Sequence, residues 1–479
     1  MQQTRQYSAA RPWQLPSGAQ LVIAFEFCER VGFYSMISLL ALFLSANRVT
    51  GGFGWNRDSA LTMLGVYSGL MYAFPVVGGW VADRLLGHRR ALAIGGTLMF
   101  CGYLLITAAV FLAGVSAAQV PLGFWRLPAQ LAPEVGRAYI WISAGFWTSV
   151  SALVLGNALI KSTLVVALGD SFSGDDARRE GAYAYYYAGI NLGGLVAGLA
   201  AGSVAATYGW APAFGISALA MGIALAAYLV FGHRYLKLRG SGATQQSPAH
   251  LLTAADEGTA ARLFILSVFA GLLLIYSIGS FQIWGTMSLF LEHSVDRHMR
   301  SFEIPTQWFT SIESVALILA APAFAALWAW LARREQEPDI VIKYALALSL
   351  GAAGLLLFAA AAWPHSATSR PGWFLPALGI CVQATGEVAA WTVTYGLVYR
   401  LAPRRMVAAV MGAFYATTLG LGAYLAGWLG TFAERWGEGR YFLVLGLGTV
   451  AAAIVALLIG SQLRSLAASN GVVLRSRSG

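Results

Sequence analysis

The sequence predicts an all-α membrane protein: twelve transmembrane helices in two six-helix bundles, with both termini in the cytoplasm. Three observations carry this reading. Hydrophobic residues make up 58% of the 479-residue chain and charged residues only 11%, too few to clothe the roughly three soluble domains its length would suggest. The apolar residues fall in runs of twenty or more, long enough for a helix to cross ~30 Å of hydrocarbon. The longest hydrophilic break, 233–262, contains a Gly/Ser/Gln-rich stretch at 240–247 and separates six runs from six. Two parallel halves facing a central cavity have this pattern.

Taken in order, the first six spans are expected near 18–46, 59–86, 90–114, 138–168, 181–207 and 210–232. The second six are expected near 263–291, 307–332, 340–363, 373–400, 407–430 and 440–463. The polar start, 1–18, carries Arg5 and Arg11 but no short apolar stretch and cleavage site, so the first helix should remain in the mature protein. Twenty of the 31 Lys and Arg residues fall in the tails and loops this topology assigns to the cytoplasm, against nine outside. That excess sets the orientation. The domain organisation is therefore an N-terminal bundle at 1–232, a cytoplasmic linker at 233–262, and a C-terminal bundle with a short tail at 263–479. A multi-pass protein of the cell inner membrane is expected, acting as a monomer in the lipid bilayer. The basic residues are scattered rather than clustered, which argues against a nucleic-acid partner despite a formal charge of +10.

Cys28, Cys101 and Cys381 all lie inside spans and read as small packing residues, with no disulfide or metal framework. All six histidines, His88, His233, His250, His293, His298 and His365, fall in loops or at span ends, where a solvated position is expected. The stripe Gly194, Gly198, Gly202 permits close helix contact. Gly420-Leu-Gly422 and Gly446-Leu-Gly448 follow no strand and read as membrane packing glycines. Pro322 should kink the eighth helix.

Six ionisable residues sit well inside spans: Glu26, Glu29 and Arg30 in helix 1, Lys161 in helix 4, Glu313 in helix 8 and Glu387 in helix 10. Each costs ~2.5–3.5 kcal/mol near the bilayer centre on translocon-type scales, so such residues mark function by default. Glu26, Glu29 and Arg30 share one side of helix 1, with Phe33 and Tyr34 a turn further on. Four carboxylates face two cations, and about two exchangeable protons are the simplest resolution. Both cations belong to the first half, while the second contributes only acids. A cavity between the halves would have a positive and a negative wall, suited to a zwitterion. An intramembrane enzyme would need a nucleophile or metal cluster, and neither is present. Alternating access suits scattered single charges better than a continuous pore.

Four motifs carry a family resemblance. The stretch Glu26-Phe-Cys-Glu29-Arg30-Val31-Gly32-Phe33-Tyr34 resembles the helix 1 signature E-x-x-E-R-F-x-Y-Y of the proton-dependent oligopeptide transporter family, a branch of the major facilitator superfamily. Gly78-Gly-Trp-Val-Ala-Asp83-Arg84-Leu-Leu-Gly87-His-Arg-Arg90 resembles its helix 2–3 loop motif. Tyr187-Ala-Gly-Ile-Asn191-Leu-Gly-Gly194 is similar to its helix 5 signature, and Gly386-Glu387 with Leu401-Ala-Pro403 and Met411-Gly412 to its helix 10–11 segment.

The resemblance implies a major facilitator fold and proton-coupled symport of di- and tripeptides, and the bulk of Trp391 leads to an expected preference for dipeptides. No cofactor is implied beyond protons as the coupling ion, and no enzymatic activity. By resemblance Glu26, Glu29 and Arg30 couple protons, and Arg30 with Lys161 holds the substrate carboxylate. Glu387 meets the peptide amine, while Phe33, Tyr34, Tyr72, Asn191, Glu313 and Trp391 complete the pocket. Asp83 and Arg84 form a clamp that holds the cytoplasmic side shut. The departures bear on substrate. Phe33 replaces a tyrosine, and Ile37 stands where many members carry an arginine. With no carboxylate in the middle of helix 7, the outer ion pair between helices 1 and 7 should be absent. Lys161-Ser-Thr replaces Lys-Pro-Asn, Glu313 replaces an asparagine, and Trp391 replaces a serine and should shrink the pocket. The alternative keeps fold and proton coupling but takes a non-peptide solute: an amino acid, drug or other organic ion.

Overall fold

The computed structural model describes residues 14–115, 133–172, 176, 178–236, 258–363, 370–403 and 406–470, with backbone alone at 133–139. Among them are twelve helices long and apolar enough to cross a membrane. The first six are α1 (Ser17–Ser45), α2 (Arg57–Leu86), α3 (His88–Val115), α4 (Ile140–Asp170), α5 (Arg178–Tyr208) and α6 (Trp210–Tyr235). The second six are α7 (Thr259–Ser294), α8 (Trp308–Arg333), α9 (Ile340–Ala362), α10 (Phe374–Leu401), α11 (Val407–Gly430) and α12 (Glu438–Ser469). The expected spans agree closely, and α12 runs furthest beyond its expected end. Arg5, Arg11, Arg126, Lys237, Arg239, Arg404, Arg405, Arg475, Arg477, His250, His365, the 240–247 stretch and the side chain of Arg137 lie outside the described residues.

Three spans are interrupted where they approach the centre. In α2 the α-helix stops at Ala73 and resumes at Pro75, which has no backbone N–H to donate. A 3-10 segment, Phe281–Trp284, divides α7, and a π segment, Ala416–Leu421, lies within α11. Non-helical backbone at membrane depth survives only where protein or a watered cavity covers it, so these breaks mark the inside of the bundle. By contrast α8 continues through Pro322 from Trp308 to Arg333.

One large apolar core runs through the first half into the outer part of the second, and another lies within the second half alone. In the first half, α1 lies against α5 and α6, α3 against α4 and α6, and α2 against α4. In the second, α9 lies against α10 and α12, and α8 against α10. The halves meet where α2 packs on α11, α5 on α8, and α1 on the outer part of α7.

Glycine lines both of the longer seams. A Cβ on Gly65 would fall 2.9 Å from the Tyr424 carbonyl oxygen, and one on Gly69 3.0 Å from that of Gly420. Across the other seam, Gly198 faces the Ser311 hydroxyl and the Gln307 carbonyl oxygen, the latter 2.6 Å from an added Cβ. Without a hydrophobic drive between helices in lipid, such backbone approach is the main source of helix affinity. Ser311 Oγ uses it to donate to the Leu195 carbonyl at 2.8 Å, and Trp308 Nε1 donates to that of Leu199 at 3.2 Å.

Outside the spans, the α7–α8 connection forms a two-stranded antiparallel hairpin, β1 (His298–Met299) and β2 (Phe302–Glu303). Arg297 is buried beneath it, 3.1 Å from Glu292 and 2.8 Å from Glu303. His88 departs from the solvated position expected of it. It is 7% exposed at the start of α3, with Nε2 3.4 Å from Asp83.

Gly198→Leu should overpack the α5–α8 seam and cost about 1–3 kcal/mol of stability. Gly448→Leu, where a Cβ meets nothing within 4 Å, should cost nothing measurable. Thermal unfolding of the two detergent-purified variants checks this, and equal melting temperatures would contradict the close seam.

Candidate functional site

Helix periodicity places Glu26, Glu29 and Arg30 on one side of α1, and Gly193 brings α5 against that side. A Cβ on Gly193 would fall 2.7 Å from Arg30 Cβ. Helix α4 then supplies Lys161. Arg30 binds Glu29 through both ends of its fork, Nε to Oε2 at 2.7 Å and Nη2 to Oε1 at 2.8 Å. Its Nε also lies 3.4 Å from Glu26 Oε1. Lys161 Nζ bridges the same two acids, 2.5 Å from Glu26 Oε1 and 2.8 Å from Glu29 Oε2. Glu26, Glu29 and Arg30 are at most 6% exposed, while the Lys161 side chain is 20% exposed. Tyr186 of α5, which sequence reasoning missed, faces Glu26.

This geometry corrects the expected positive wall. The two cations of the first half are already held by the two acids of the first half, so its wall is neutral when all four are ionised. Sequence spacing grouped the α1 residues but carried no signal that Lys161, 132 residues away from Glu29, would join them. The surplus charge lies entirely in the second half. Glu313 on α8 and Glu387 on α10 are close enough to interact. Among the described residues, no Lys, Arg or His forms an ion pair with either. Glu387 Oε2 accepts from Ser280 at 3.2 Å, just before the α7 break.

Aromatic rings enclose the charges. Phe33 is 1% exposed and lies beneath the Arg30 guanidinium, 4.6 Å from its ring centre, so it supports Arg30 rather than lining open space. Trp284 packs edge-on against Phe33 at 6.1 Å and, tilted, against Phe281 at 5.3 Å, forming an aromatic group. Tyr72 joins that group, 5.4 Å from Phe281 and 6.4 Å from Phe33. Tyr34 lies between the halves, with the Arg30 guanidinium 5.6 Å from its ring. Asn191 is buried, and its amide donates to the Tyr187 carbonyl at 3.0 Å. Trp391 does not project freely beside Glu387. It stacks on Tyr415 at 5.5 Å with 14° between the planes, and Tyr415 donates to the Tyr395 hydroxyl at 2.7 Å. Tyr395 and Tyr415 had no sequence motif to flag them.

The gate residues divide. Ile37 is fully buried in an apolar cluster with Trp284 and Met287, so the α1–α7 closure is apolar, as the missing arginine implied. An unanticipated ion pair joins the halves nearby: Arg57 Nη1 of α2 lies 2.8 Å from Glu438 Oε1 of α12, and Ser294 donates to Glu438 Oε2 at 2.9 Å. At the opposite end, Asp83 and Arg84 sit in the π turn that ends α2. Asp83 reaches His88, and among the described residues neither pairs with the second half. No cluster of three or more His, Cys, Asp or Glu placed to hold a metal occurs among the described residues.

Glu29 holds both cations, so Glu29→Gln should destabilise the protein by about 3–5 kcal/mol, the usual cost of leaving a buried charge uncompensated. The double variant Glu29→Gln/Lys161→Gln should recover part of that loss. Chemical denaturation of the purified variants gives the coupling, and strictly additive effects would deny it.

Comparison with known proteins agrees with this architecture. A profile of the POT family matches residues 89–255 and 254–442; the α1 charge signature precedes the matched region. The peptide transporter YePEPT of Yersinia enterocolitica subsp. palearctica is 27% identical over 85% of this chain and 85% of its own. Dipeptide and tripeptide permease A of Serratia proteamaculans is 23% identical, covering 94% of this chain and 92% of its own. The crystal structure of a peptide transporter POT in complex with sulfate superposes with a TM-score of 0.81 at 20% identity, over 94% of this chain and 96% of that one. The twelve-helix major facilitator fold and the profile, which spans most of the chain, lead to one conclusion: this protein is a member of the POT family.

Proposed function

We propose that this protein is a proton-coupled symporter that brings short peptides, dipeptides before tripeptides, across the cell inner membrane by alternating access. The observation that carries the reading is the neutral cluster of Glu26, Glu29, Arg30 and Lys161 in the first half, with Tyr34 between it and two second-half acids, Glu313 and Glu387, that have no ion-pair partner among the described residues. A substrate carboxylate entering beside Arg30 or Lys161 adds one negative charge to a balanced set. One proton on Glu26 or Glu29 restores the balance and frees a cation to bind the carboxylate. Proton and substrate therefore favour each other's binding, which is the thermodynamic content of coupling. The peptide amine goes to Glu387, the acid that Ser280 orients.

In this scheme the bodies 1–232 and 263–479 rock about the α2–α11 and α5–α8 seams, with 233–262 as a cytoplasmic tether. Arg57–Glu438 secures the outer side, and Asp83 with Arg84 closes the cytoplasmic side in the opposite state. The acting unit is a monomer that needs no cofactor and performs no catalysis. Relatives named as peptide and dipeptide/tripeptide transporters support the substrate class. Ile37, Trp391 and above all Glu313, a second acid within range of Glu387, are what favour a non-peptide solute.

Reconstituted protein should accumulate labelled dialanine only with an inward proton gradient. Glu26→Gln and Glu29→Gln should lose that accumulation while retaining counterflow, which needs no net proton movement. Gradient-independent accumulation would end the symport reading. N-acetyl dialanine should compete poorly, and Glu387→Gln should cost about 2–5 kcal/mol of dialanine affinity. Equal competition by the acetylated and free peptides would favour the non-peptide solute.

A further inference from the structure

We propose that Glu313 and Glu387 form a two-acid site that selects substrates with a second positive charge, namely peptides bearing a basic side chain. The proposal rests on the peptide-uptake reading above and names the substrate class of that same chamber.

The charge balance supplies the first reason. Arg30 and Lys161, the two cations well inside the spans, are both used within the first half, where Glu29 holds both and Glu26 shares Lys161. Among the described residues no Lys, Arg or His forms an ion pair with Glu313 or Glu387, and the buried Lys343 of α9 is paired with Glu337. Glu313 and Glu387 stand on α8 and α10, which pack against each other. The two acids lie within electrostatic range of one another, and Ser280 supplies a hydroxyl to Glu387 alone. A zwitterionic peptide brings one ammonium, which can answer one of these carboxylates. The other must then take a proton or remain uncompensated beside the packed helices α8 and α10. A peptide with an ammonium or guanidinium on its side chain answers both.

The surroundings of the two acids supply the second reason. Tyr34, Tyr72 and Tyr276 lie within electrostatic range of both carboxylates. Tyr187 and Tyr395 lie within range of Glu387, and the Trp391–Tyr415 stack adjoins Tyr395. Aromatic faces attract cations and place no positive charge of their own. An apolar side chain would find rings to pack on, but a cationic one finds rings and an unanswered carboxylate.

The test uses the full chain in proteoliposomes, with labelled dialanine as the transported probe. Its competitors are lysyl-alanine and norleucyl-alanine, which differ at the side-chain terminus by the ammonium. Lysyl-alanine should compete about tenfold better in the wild type, the effect of one further favourable charge pairing. In Glu313→Gln the ratio should fall to within about twofold, and Glu313→Asp should keep the preference. Equal potency of the two competitors in the wild type overturns this proposal while leaving peptide transport intact. An undiminished lysyl preference in Glu313→Gln also overturns it. Failure of all three peptides to bind overturns the peptide reading and this proposal with it.

Discussion

The cost of ionised groups in hydrocarbon is the constraint on which the chamber depends. Three charged side chains within five residues of α1 can stay buried only if something returns their electrostatic energy, and Lys161 of α4 does so. This requirement reaches beyond the cluster itself. Gly193 must be a glycine for α5 to close over Arg30, and Phe33 must be flat and apolar to lie beneath its guanidinium. Helix α4, packed against α3 and α2, delivers its ammonium between the two carboxylates. A buried ion pair contributes little net stability, yet losing one partner is expensive. That asymmetry favours exchange over loss: a partner can be replaced by a proton or a substrate group, but not removed.

The two seams between the halves complement this arrangement. Both are glycine-lined, so helix backbones touch through weak, short-range contacts rather than interlocked side chains. Contacts of that kind can be given up and re-formed without extracting a large side chain from a fitted pocket. The irregular segments of α2, α7 and α11 are placed beside them, and each puts a site residue or its neighbour near the break: Tyr72, Ser280 and Tyr415. With Ile37 leaving the α1–α7 contact apolar, the charged contacts between the halves among the described residues include Arg57 with Glu438 and the more exposed Arg435 with Asp58.

Much of the site was legible before any coordinates. Glu26, Glu29, Arg30, Lys161, Glu313 and Glu387 stand out because an ionisable residue inside an apolar run has no bland explanation. The α1 grouping followed from 3.6 residues per turn alone. Less legible were the aromatic residues. Tyr395 and Tyr415 are two among 20 tyrosines, and the ring that holds Trp391 comes from another helix. The wall signs were misread because counting charges by half assumes that partners come from opposite halves. Here Lys161 found its partners on a neighbouring helix of its own half.

The sequence by itself determined the number of spans, their approximate limits and the identity of the intramembrane charges. Each of these is a local property, set by how a twenty-residue stretch partitions between water and hydrocarbon. Only the tertiary structure decided which acid meets which base, that the first-half charges cancel while Glu313 and Glu387 stay unanswered, and that Arg57 finds Glu438 across 381 residues of chain. Those pairings depend on how helices rotate and pack. Hydropathy reports that a helix is in the membrane and is silent about which neighbour its charged face will meet.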